Sequence, residues 1–382
     1  MGVEAAVFGC GRIGAGTAAL LKELGVDVVV VDRDCGRVRE LEQSLGVEGA
    51  CLDVLHAGRE ALRSACRGAS VAATAFPGSI GFECVRRVVE AGFSGVVDVT
   101  FYREDPLALG EVAGEAGAEV YVDAGLAPGL SNLLVGEAYA RFTREGVGVR
   151  DAVVYVGGLS ASRDCPLGLA GTWNVRDLLD EYVRPARLVR GGEVVSEDPL
   201  ALTGEVEVPG VGRFEYFVSD GLRTMLSTLP RPEGVMAEYT LRYPGHLAAV
   251  RVLKDLGLLS EELVIANGVP VKPVDVVAAR LEEVLRGCRE DRVVMYVRVE
   301  GVNGSEVGWV LDVGFDSRRG LSAMTLTTSG TQASVVKALL DGKLGLGAGA
   351  HGLEEVGVRG LSKHVLENLR LLGVEPRRLP SR

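Results

Sequence analysis

No stretch of this 382-residue chain approaches the roughly 18 consecutive apolar residues that a membrane-spanning helix needs. Even the run Val28–Val31 is closed off by Asp27 and Asp32, so no membrane segment is expected. Cysteine is thinly spread, at positions 10, 35, 51, 66, 84, 165 and 288, and never in a CxxC spacing. That excludes a structural zinc of the usual kind, and the odd number is expected to reflect reduced thiols, not a disulfide framework. Positive charge is in deficit, with 41 basic against 52 acidic residues and a net charge of -11. A phosphate backbone needs a concentrated basic surface, so nucleic acid is excluded as the main partner. Lysine (six), glutamine (two) and asparagine (five) are scarce beside 35 arginines, a bias shared by proteins of hot environments and of GC-rich genomes. The start, Met1-Gly2-Val3-Glu4-Ala5-Ala6, is too acidic for a signal peptide and has Ala6 where a myristoylation motif needs Ser or Thr, so the cytoplasm is the expected compartment.

What is present reads as a soluble globular protein: 47% hydrophobic and 24% charged residues, in a chain long enough for two domains at about 150 residues each. Up to residue 123, short β-branched runs alternate with amphipathic stretches, the pattern of βαβ units. Strands are predicted at Ala5–Phe8, Asp27–Val31, Gly49–Leu52, Val71–Thr74, Gly95–Asp98 and Glu119–Val122. The fold class is therefore α/β, a Rossmann doubly wound parallel sheet over residues 1–123. The Gly/Pro-rich stretch Asp123–Gly129 marks a boundary and leads into a helix from about Leu130. Residues 124–329 are expected to form a second, α+β domain with a mainly antiparallel sheet for substrate binding and dimerisation. Turns at Asn267-Gly268 and Asn303-Gly304 signal hairpins. The latter joins Val293, Met295, Val297 and Val299 to Val307, Trp309, Leu311 and Val313, two period-2 stripes for one buried face. Residues 330–382 are expected to join the first domain.

Gly9-Cys10-Gly11-Arg12-Ile13-Gly14 follows an apolar strand and opens a helix, the context of a dinucleotide fingerprint. Gly9 permits the tight turn, Gly11 the approach of the pyrophosphate, and Gly14 the close packing of helix on sheet. Arg12 and Ile13 supply N–H groups at the helix N-terminus. Asp32 ends the second strand, where a carboxylate accepts hydrogen bonds from ribose hydroxyls and repels a 2′-phosphate. NAD is the expected cofactor, and Arg33 keeps NADP open, since a guanidinium there can meet a 2′-phosphate or stack on adenine. Asp53 is placed at the adenine or as a helix cap. Ala75-Phe76-Pro77, after the fourth strand, sits at the switch-point crevice as a further cofactor contact.

With this fingerprint, the linker Asp123-Ala124-Gly125-Leu126-Ala127-Pro128-Gly129-Leu130-Ser131-Asn132, the run Tyr155-Val156-Gly157-Gly158-Leu159 and the segment Thr240-Leu241-Arg242-Tyr243-Pro244-Gly245-His246, the chain resembles the saccharopine dehydrogenase family over nearly its whole length. Within it the chain is most similar to the lysine 6-dehydrogenases, through Asp177–Tyr182 and Arg190-Gly191-Gly192. The resemblance implies an NAD-dependent oxidation of the ε-amino carbon of L-lysine with release of ammonia. The alternatives are saccharopine-forming or saccharopine-cleaving activity, action on carboxylated polyamines, and a non-catalytic dinucleotide sensor. It also implies an amino-acid substrate and a homodimer or homotetramer. Ser160 stands where the family pattern would have Pro after the paired glycines and Leu159.

Oxidising an amine by hydride transfer requires the neutral amine, so a proton acceptor is needed. Of four histidines, His246 alone falls in a family-like motif of the second domain; it is a candidate base, with a cap of the following helix as the equal alternative. Asp123, at the carboxyl edge of the sheet, is the other candidate for base or amine orientation, with a linker aspartate satisfying local backbone N–H groups as the equal alternative. Arg242 or Arg223 would clamp a substrate carboxylate. Asp220 would meet an α-ammonium, Thr224 would complete the pocket, and Tyr102 would line the nicotinamide end.

Overall fold

Short runs of three to five mostly apolar residues build the parallel sheet that their spacing predicts. The computed structural model describes residues 2–172 and 174–380, so the last two residues of the expected tail lie outside it. The chain divides into two units, one of Met1–Gly146, Arg223–Pro230 and Thr325–Glu375, the other of Val147–Leu222, Arg231–Met324 and Pro376–Arg382.

The first unit runs β1 (Ala5–Phe8), α1 (Arg12–Glu23), β2 (Val28–Asp32), α2 (Cys35–Leu45), β3 (Glu48–Cys51), α3 (Arg59–Ala65), β4 (Val71–Thr74), α4 (Gly78–Glu90), β5 (Gly95–Asp98), α5 (Gly110–Ala116), β6 (Glu119–Tyr121) and α6 (Leu130–Arg144). The strands lie in the order β6-β5-β4-β1-β2-β3, all parallel, and a seventh strand, Gly349–His351, adds in parallel beside β6. This is the doubly wound Rossmann arrangement, and its order reverses between β1 and β4, where such sheets open a crevice at their carboxyl ends. β1, β4 and β5 are buried along their whole length, as a sheet covered on both faces requires. From the tail, Gln332 donates to the carbonyls of Thr74 (2.9 Å) and Val97 (2.8 Å) and accepts from Thr17 (2.6 Å), binding its helix to the sheet.

The second unit contains β7 (Val149–Ser160), α7 (Val175–Asp180), β8 (Ala186–Arg190), β9 (Glu193–Glu197), β10 (Thr203–Val208), β11 (Gly212–Ser219), β12 (Val235–Arg242), α8 (His246–Asp255), β13 (Val264–Ala266), β14 (Val269–Val271), α9 (Pro273–Val284), β15 (Asp291–Gly301) and β16 (Glu306–Gly314). Its main sheet has the order β10-β11-β12-β7-β15-β16, antiparallel except for the parallel pair β12–β7, with Arg377–Arg378 at its far edge. β15 and β16 pair Val293 with Val313, Met295 with Leu311, Val297 with Trp309 and Val299 with Val307, the register that the alternation predicts. β13 and β14 form a separate two-stranded sheet around Asn267-Gly268.

Two disulfides correct the expectation of reduced thiols. Cys35–Cys51 joins the start of α2 to β3, and Cys165–Cys288 joins residues 123 apart, with Cα–Cα distances of 5.1 and 6.0 Å; Cys10, Cys66 and Cys84 are free and buried. Sequence spacing gives no signal here because the fold supplies the proximity: Asp32 and Cys51 are register partners on β2 and β3. A loop of 123 residues closed by one bond corresponds to about 5 kcal/mol of unfolded-chain entropy. Replacing Cys165 and Cys288 together with serine is expected to cost a loss of that order in urea unfolding, and wild-type stability in the variant would contradict it.

Candidate active site

At the end of β1 the backbone turns through Gly9, whose φ of +96° suits glycine, and its N–H donates to the Val31 carbonyl at 2.9 Å. A Cβ on Gly9 would run into the Ala75 carbonyl, and one on Gly14 into the Gly9 carbonyl, so a side chain at either position collides with backbone. Gly11 is different: a Cβ there meets nothing nearer than the Arg37 guanidinium at 3.9 Å. That open side faces the N-terminus of α1, which begins at Arg12 and Ile13 with neither a capping side chain nor an acidic residue in its first turn. A helix end without its own counter-anion, beside a cradle that only glycine leaves open, fits the diphosphate of a dinucleotide.

Asp32 is fixed at the next strand end. Its Oδ2 accepts from the Cys10 N–H (2.6 Å) and its Oδ1 from the Asp34 N–H (2.8 Å). Each oxygen keeps a further lone pair for a ribose hydroxyl. Arg33 is exposed beside it. Asp53 accepts from the Leu55 N–H (3.0 Å) and pairs with His56 (3.1 Å), and the hydrogen bond to His56 holds its carboxyl below the usual range. Its bonds are thus local, in the turn after β3. The Ala75 carbonyl abuts Gly9, the Phe76 N–H donates to Thr100 Oγ1 (3.0 Å), and Pro77 precedes α4.

A second group lies at the carboxyl ends of β4, β5 and β6. Asp98 is fully buried; its Oδ1 accepts from Thr74 Oγ1 (2.7 Å) and the Thr100 N–H (3.1 Å). Burial pushes its carboxyl up to about 7. Asp98 Oδ2 and the hydroxyl of buried Tyr102 lie close together without a well-formed hydrogen bond; burial first, and then the Asp98 carboxylate, push the phenol up. Asp123 and Arg223 form a bidentate ion pair at 2.9 and 3.1 Å, with both side chains almost wholly buried. Arg223 also donates to the Tyr102 carbonyl (2.8 Å), and its guanidinium lies 4.4 Å from the centre of the Phe101 ring. Both members of the pair sit in the left-handed region, Asp123 at φ +51° and Arg223 at φ +48°, which for non-glycine residues stores about 1 kcal/mol or more each. Thr224 is buried next to them, where Asn132 Nδ2 reaches its hydroxyl at 3.4 Å. Asn132 also donates to fully buried Glu354 (3.1 Å), whose carboxyl burial pushes up.

In the second unit, β12 and α8 bring Arg242 and His246 together. Arg242 donates from Nε to Tyr182 Oη (2.9 Å), from Nη1 to the Leu241 carbonyl (3.0 Å) and from Nη2 to Glu181 (3.0 Å). His246 Nδ1 faces the Leu167 carbonyl (2.8 Å), so Nδ1 carries the proton and Nε2 accepts from the Tyr182 hydroxyl (2.8 Å). Burial, with the Arg242 charge added, pulls the imidazole down to about 3. Glu215 caps α8, accepting from the N–H groups of Gly245 (2.9 Å) and Leu247 (3.0 Å), so the capping role considered for His246 falls to another residue. Asp220 is held by Arg187 through two side-chain bonds (2.9 and 3.0 Å).

The buried, neutral His246 ring makes stability depend on acid pH. An unfolded histidine titrates near 6.5 and the folded one near 3, so the unfolded state binds the proton first on acidification. The stabilisation is complete above about pH 6.5 and is lost as the pH falls towards 3. His246→Gln is expected to flatten that part of the stability profile in urea titrations at successive pH values; an unchanged slope would contradict the buried neutral ring.

Tyr102, Asp123, Arg223 and Thr224 therefore share one polar cluster in the first unit, while Arg242 and His246 share another in the second. Asp98, Glu354, Glu181 and Tyr182 were not singled out from sequence as site residues. Glu181 and Tyr182 close the Asp177–Tyr182 motif, and Asn132 closes the linker motif, so those two stretches held the available signal. Among the described residues no group of His, Cys, Asp and Glu is arranged to hold a metal, and no helix is long and apolar enough to cross a membrane.

Residues 125–374 match the saccharopine dehydrogenase C-terminal domain family, and residues 5–66 match the TrkA-N domain. Saccharopine dehydrogenase [NADP(+), L-glutamate-forming] of Saccharomyces cerevisiae is 31% identical over 167 residues, 42% of this chain and 36% of the yeast protein. The enzyme of the same name from Pyricularia oryzae is 28% identical over 174 residues, 44% of this chain and 38% of the fungal protein. The matches thus span little more than a third of these relatives' length. The solved apo saccharopine dehydrogenase (L-Glu forming) from Saccharomyces cerevisiae has the same fold, with a TM-score of 0.82 over 100% of both chains at 20% identity. A homospermidine synthase from Legionella pneumophila, solved in complex with NAD, follows at a TM-score of 0.68 and 12% identity, over 98% of this chain and 91% of that one.

Proposed function

The chain belongs to the saccharopine dehydrogenase family, and from that premise we propose that it is an NAD(P)-dependent oxidoreductase that oxidises an amino-acid C–N bond. The observation that carries the reading is the glycine cradle at the uncapped N-terminus of α1, in a chain whose residues 125–374 match the family. Among substrates, a secondary amine of the saccharopine kind is better supported than free lysine, because the curated relatives are L-glutamate-forming saccharopine dehydrogenases. Oxidation at the carbon bearing nitrogen gives an imine, which water opens to an amine and a carbonyl compound.

Gly9, Gly11 and Gly14 would hold the diphosphate and Asp32 the adenosine ribose. When bound, the nicotinamide supplies the hydride acceptor. Asp32 sets a carboxylate where a 2′-phosphate would come, which favours NAD. We assign Asp123 to orientation of the reacting amine and Arg223 to holding Asp123 in place, since the bidentate bond leaves that carboxylate one orientation. Asp98 retains its proton to near neutrality, and with Oδ1 accepting two hydrogen bonds the proton belongs on Oδ2. His246, neutral and bonded at both nitrogens, is assigned to bracing Arg242 through Tyr182.

The test is to incubate the protein with NAD or NADP and with saccharopine, L-lysine or other diamino acids, following the absorbance of reduced nicotinamide. Reduction with saccharopine, faster than with lysine, is expected. No reduction with any of these substrates over a wide range of pH and temperature would overturn the reading. Asp32→Ala should raise the use of NADP relative to NAD, and an unchanged preference would remove Asp32 from the ribose.

A further inference from the structure

A positive side chain stands where helix electrostatics disfavours it. Arg37 lies in the first turn of α2, the end of a helix that carries partial positive charge and is stabilised by acidic residues. α2 has no acidic residue in that turn, and its N-cap, Asp34, supplies the carboxylate that offsets the charge. Asp34 Oδ1 accepts from the N–H groups of Gly36 (2.9 Å) and Arg37 (3.3 Å), and its Oδ2 lies 3.5 Å from Arg37 Nε. Among the described residues this is the one ion pair of Arg37, and its side chain donates no hydrogen bond. Arg37 is exposed, so packing does not dictate its place.

The forked end of the guanidinium is turned away from Asp34, towards the glycine cradle. Nη1 lies 3.9 Å from the point that a Cβ on Gly11 would occupy. The Arg37 charge also acts on Cys10, between Gly9 and Gly11: burial pushes that thiol up to about 12, the Asp32 carboxylate adds to the rise, and Arg37 opposes it. On the same side, α1 begins with neither a capping side chain nor an acidic residue in its first turn. A helix N-terminus and a guanidinium thus converge on the open side of Gly11. Asp32 does not answer them, since its two oxygens take the Cys10 N–H (2.6 Å) and the Asp34 N–H (2.8 Å), and it makes no ion pair with Arg37 among the described residues. Positive groups that converge with no anion between them repel, and an anion placed there is held by both.

We propose that Arg37 is an anion clamp of the cofactor site: given the reading of Gly9–Gly14 as a dinucleotide cradle, its forked end donates to the diphosphate that rests on the N-terminus of α1. Asp34 is then a positioning residue, which holds Nε so that the fork faces Gly11. A guanidinium meets phosphate oxygens through parallel hydrogen bonds, which an ammonium group does not reproduce. The diphosphate is common to NAD and NADP, so Arg37 strengthens the binding of both alike, and selection between them stays with Asp32.

The experiment is a nicotinamide fluorescence titration of the full chain with NADH and with NADPH, and displacement of NADH by ADP and by adenosine, on wild type, Arg37→Gln and Arg37→Lys. Arg37→Gln is expected to weaken NADH, NADPH and ADP by the same factor, about 10- to 100-fold, the range of a hydrogen bond to a charged group. Adenosine, which has no phosphate, should bind the variant as it binds wild type, and Arg37→Lys should recover part of the loss. Added salt should weaken NADH binding more steeply in wild type than in Arg37→Gln, because the variant has one ion pair fewer to screen. Thermal melts should place Arg37→Gln at or above wild type, since a positive charge leaves the first turn of α2. Wild-type affinity retained in Arg37→Gln, a loss confined to NADPH, or a loss of stability in place of affinity would each overturn the assignment of Arg37 alone. A wild type that binds neither dinucleotide would overturn the reading of the cradle, and the clamp with it.

Discussion

Gly11→Asp is expected to destroy dinucleotide binding while leaving the protein as stable as wild type, or more so. Gly11 is the N-cap of α1, and its φ of -71° and ψ of -173° are open to any residue. A Cβ there has only the Arg37 guanidinium for company, at 3.9 Å. Aspartate is among the best N-cap residues, better than glycine by only a few tenths of a kcal/mol, so the variant should be at least as stable. The same carboxylate would occupy the side of the cradle where the diphosphate belongs. Two like unit charges about 4 Å apart at an effective dielectric of about 20 repel by ~4 kcal/mol, or about a thousandfold in Kd. Thermal melts and a nicotinamide fluorescence titration on the same sample separate the two effects. Unchanged affinity in a folded variant would mean that the open side of Gly11 is not the diphosphate site.

Arg223→Met is expected to cost about 3 to 5 kcal/mol of stability, the usual penalty for leaving one partner of a buried ion pair behind. Asp123 would lose its arginine partner at 2% side-chain exposure, and the Tyr102 carbonyl would lose a donor. The left-handed conformations at both residues also lose the contact that maintains them. Asp123→Asn combined with Arg223→Met removes the stranded charge and should recover part of the loss, because two apolar or neutral partners cost less than one buried ion. Urea unfolding of the two single variants and the double variant measures the coupling. A single-variant loss below about 1 kcal/mol would place the pair among surface ion pairs.

The parts of the fold that sequence made legible are those encoded by local period. β1, β4 and β5 have the predicted bounds because each is a short apolar run closed by polar or turn residues. The Val293–Val299 and Val307–Val313 stripes define their own register, since a slip of one residue would turn every side chain to the other face. The glycine fingerprint was legible because Gly9 and Gly14 answer local steric demands, whereas Gly11 is set apart by the open space it leaves at the helix end.

What was not legible depends on residues far apart in the chain. Glu354 meets Asn132 across 222 positions, and His246 meets Tyr182 across 64. Asp123 and Arg223 each attracted attention separately, but nothing in Asp or Arg propensity announces the left-handed backbone that turns them towards each other. Cys35 and Cys51 are joined by the pairing of β2 with β3, which cysteine counting does not encode. Asp98 ends a strand like any buried aspartate, and its raised carboxyl follows from complete burial, a property of the folded sheet.

In the proposed reaction, hydride passes from the carbon of a C–N bond to a nicotinamide held at the Gly9–Gly14 cradle. The most direct measurement uses saccharopine carrying deuterium on the carbons that flank its secondary nitrogen, with mass spectrometry of the nicotinamide product. One deuterium in each reduced nicotinamide, together with release of an amine and a carbonyl compound, is the expected result. Reduced nicotinamide without the label, or cleavage of the amine with no nicotinamide reduced, would contradict the claim.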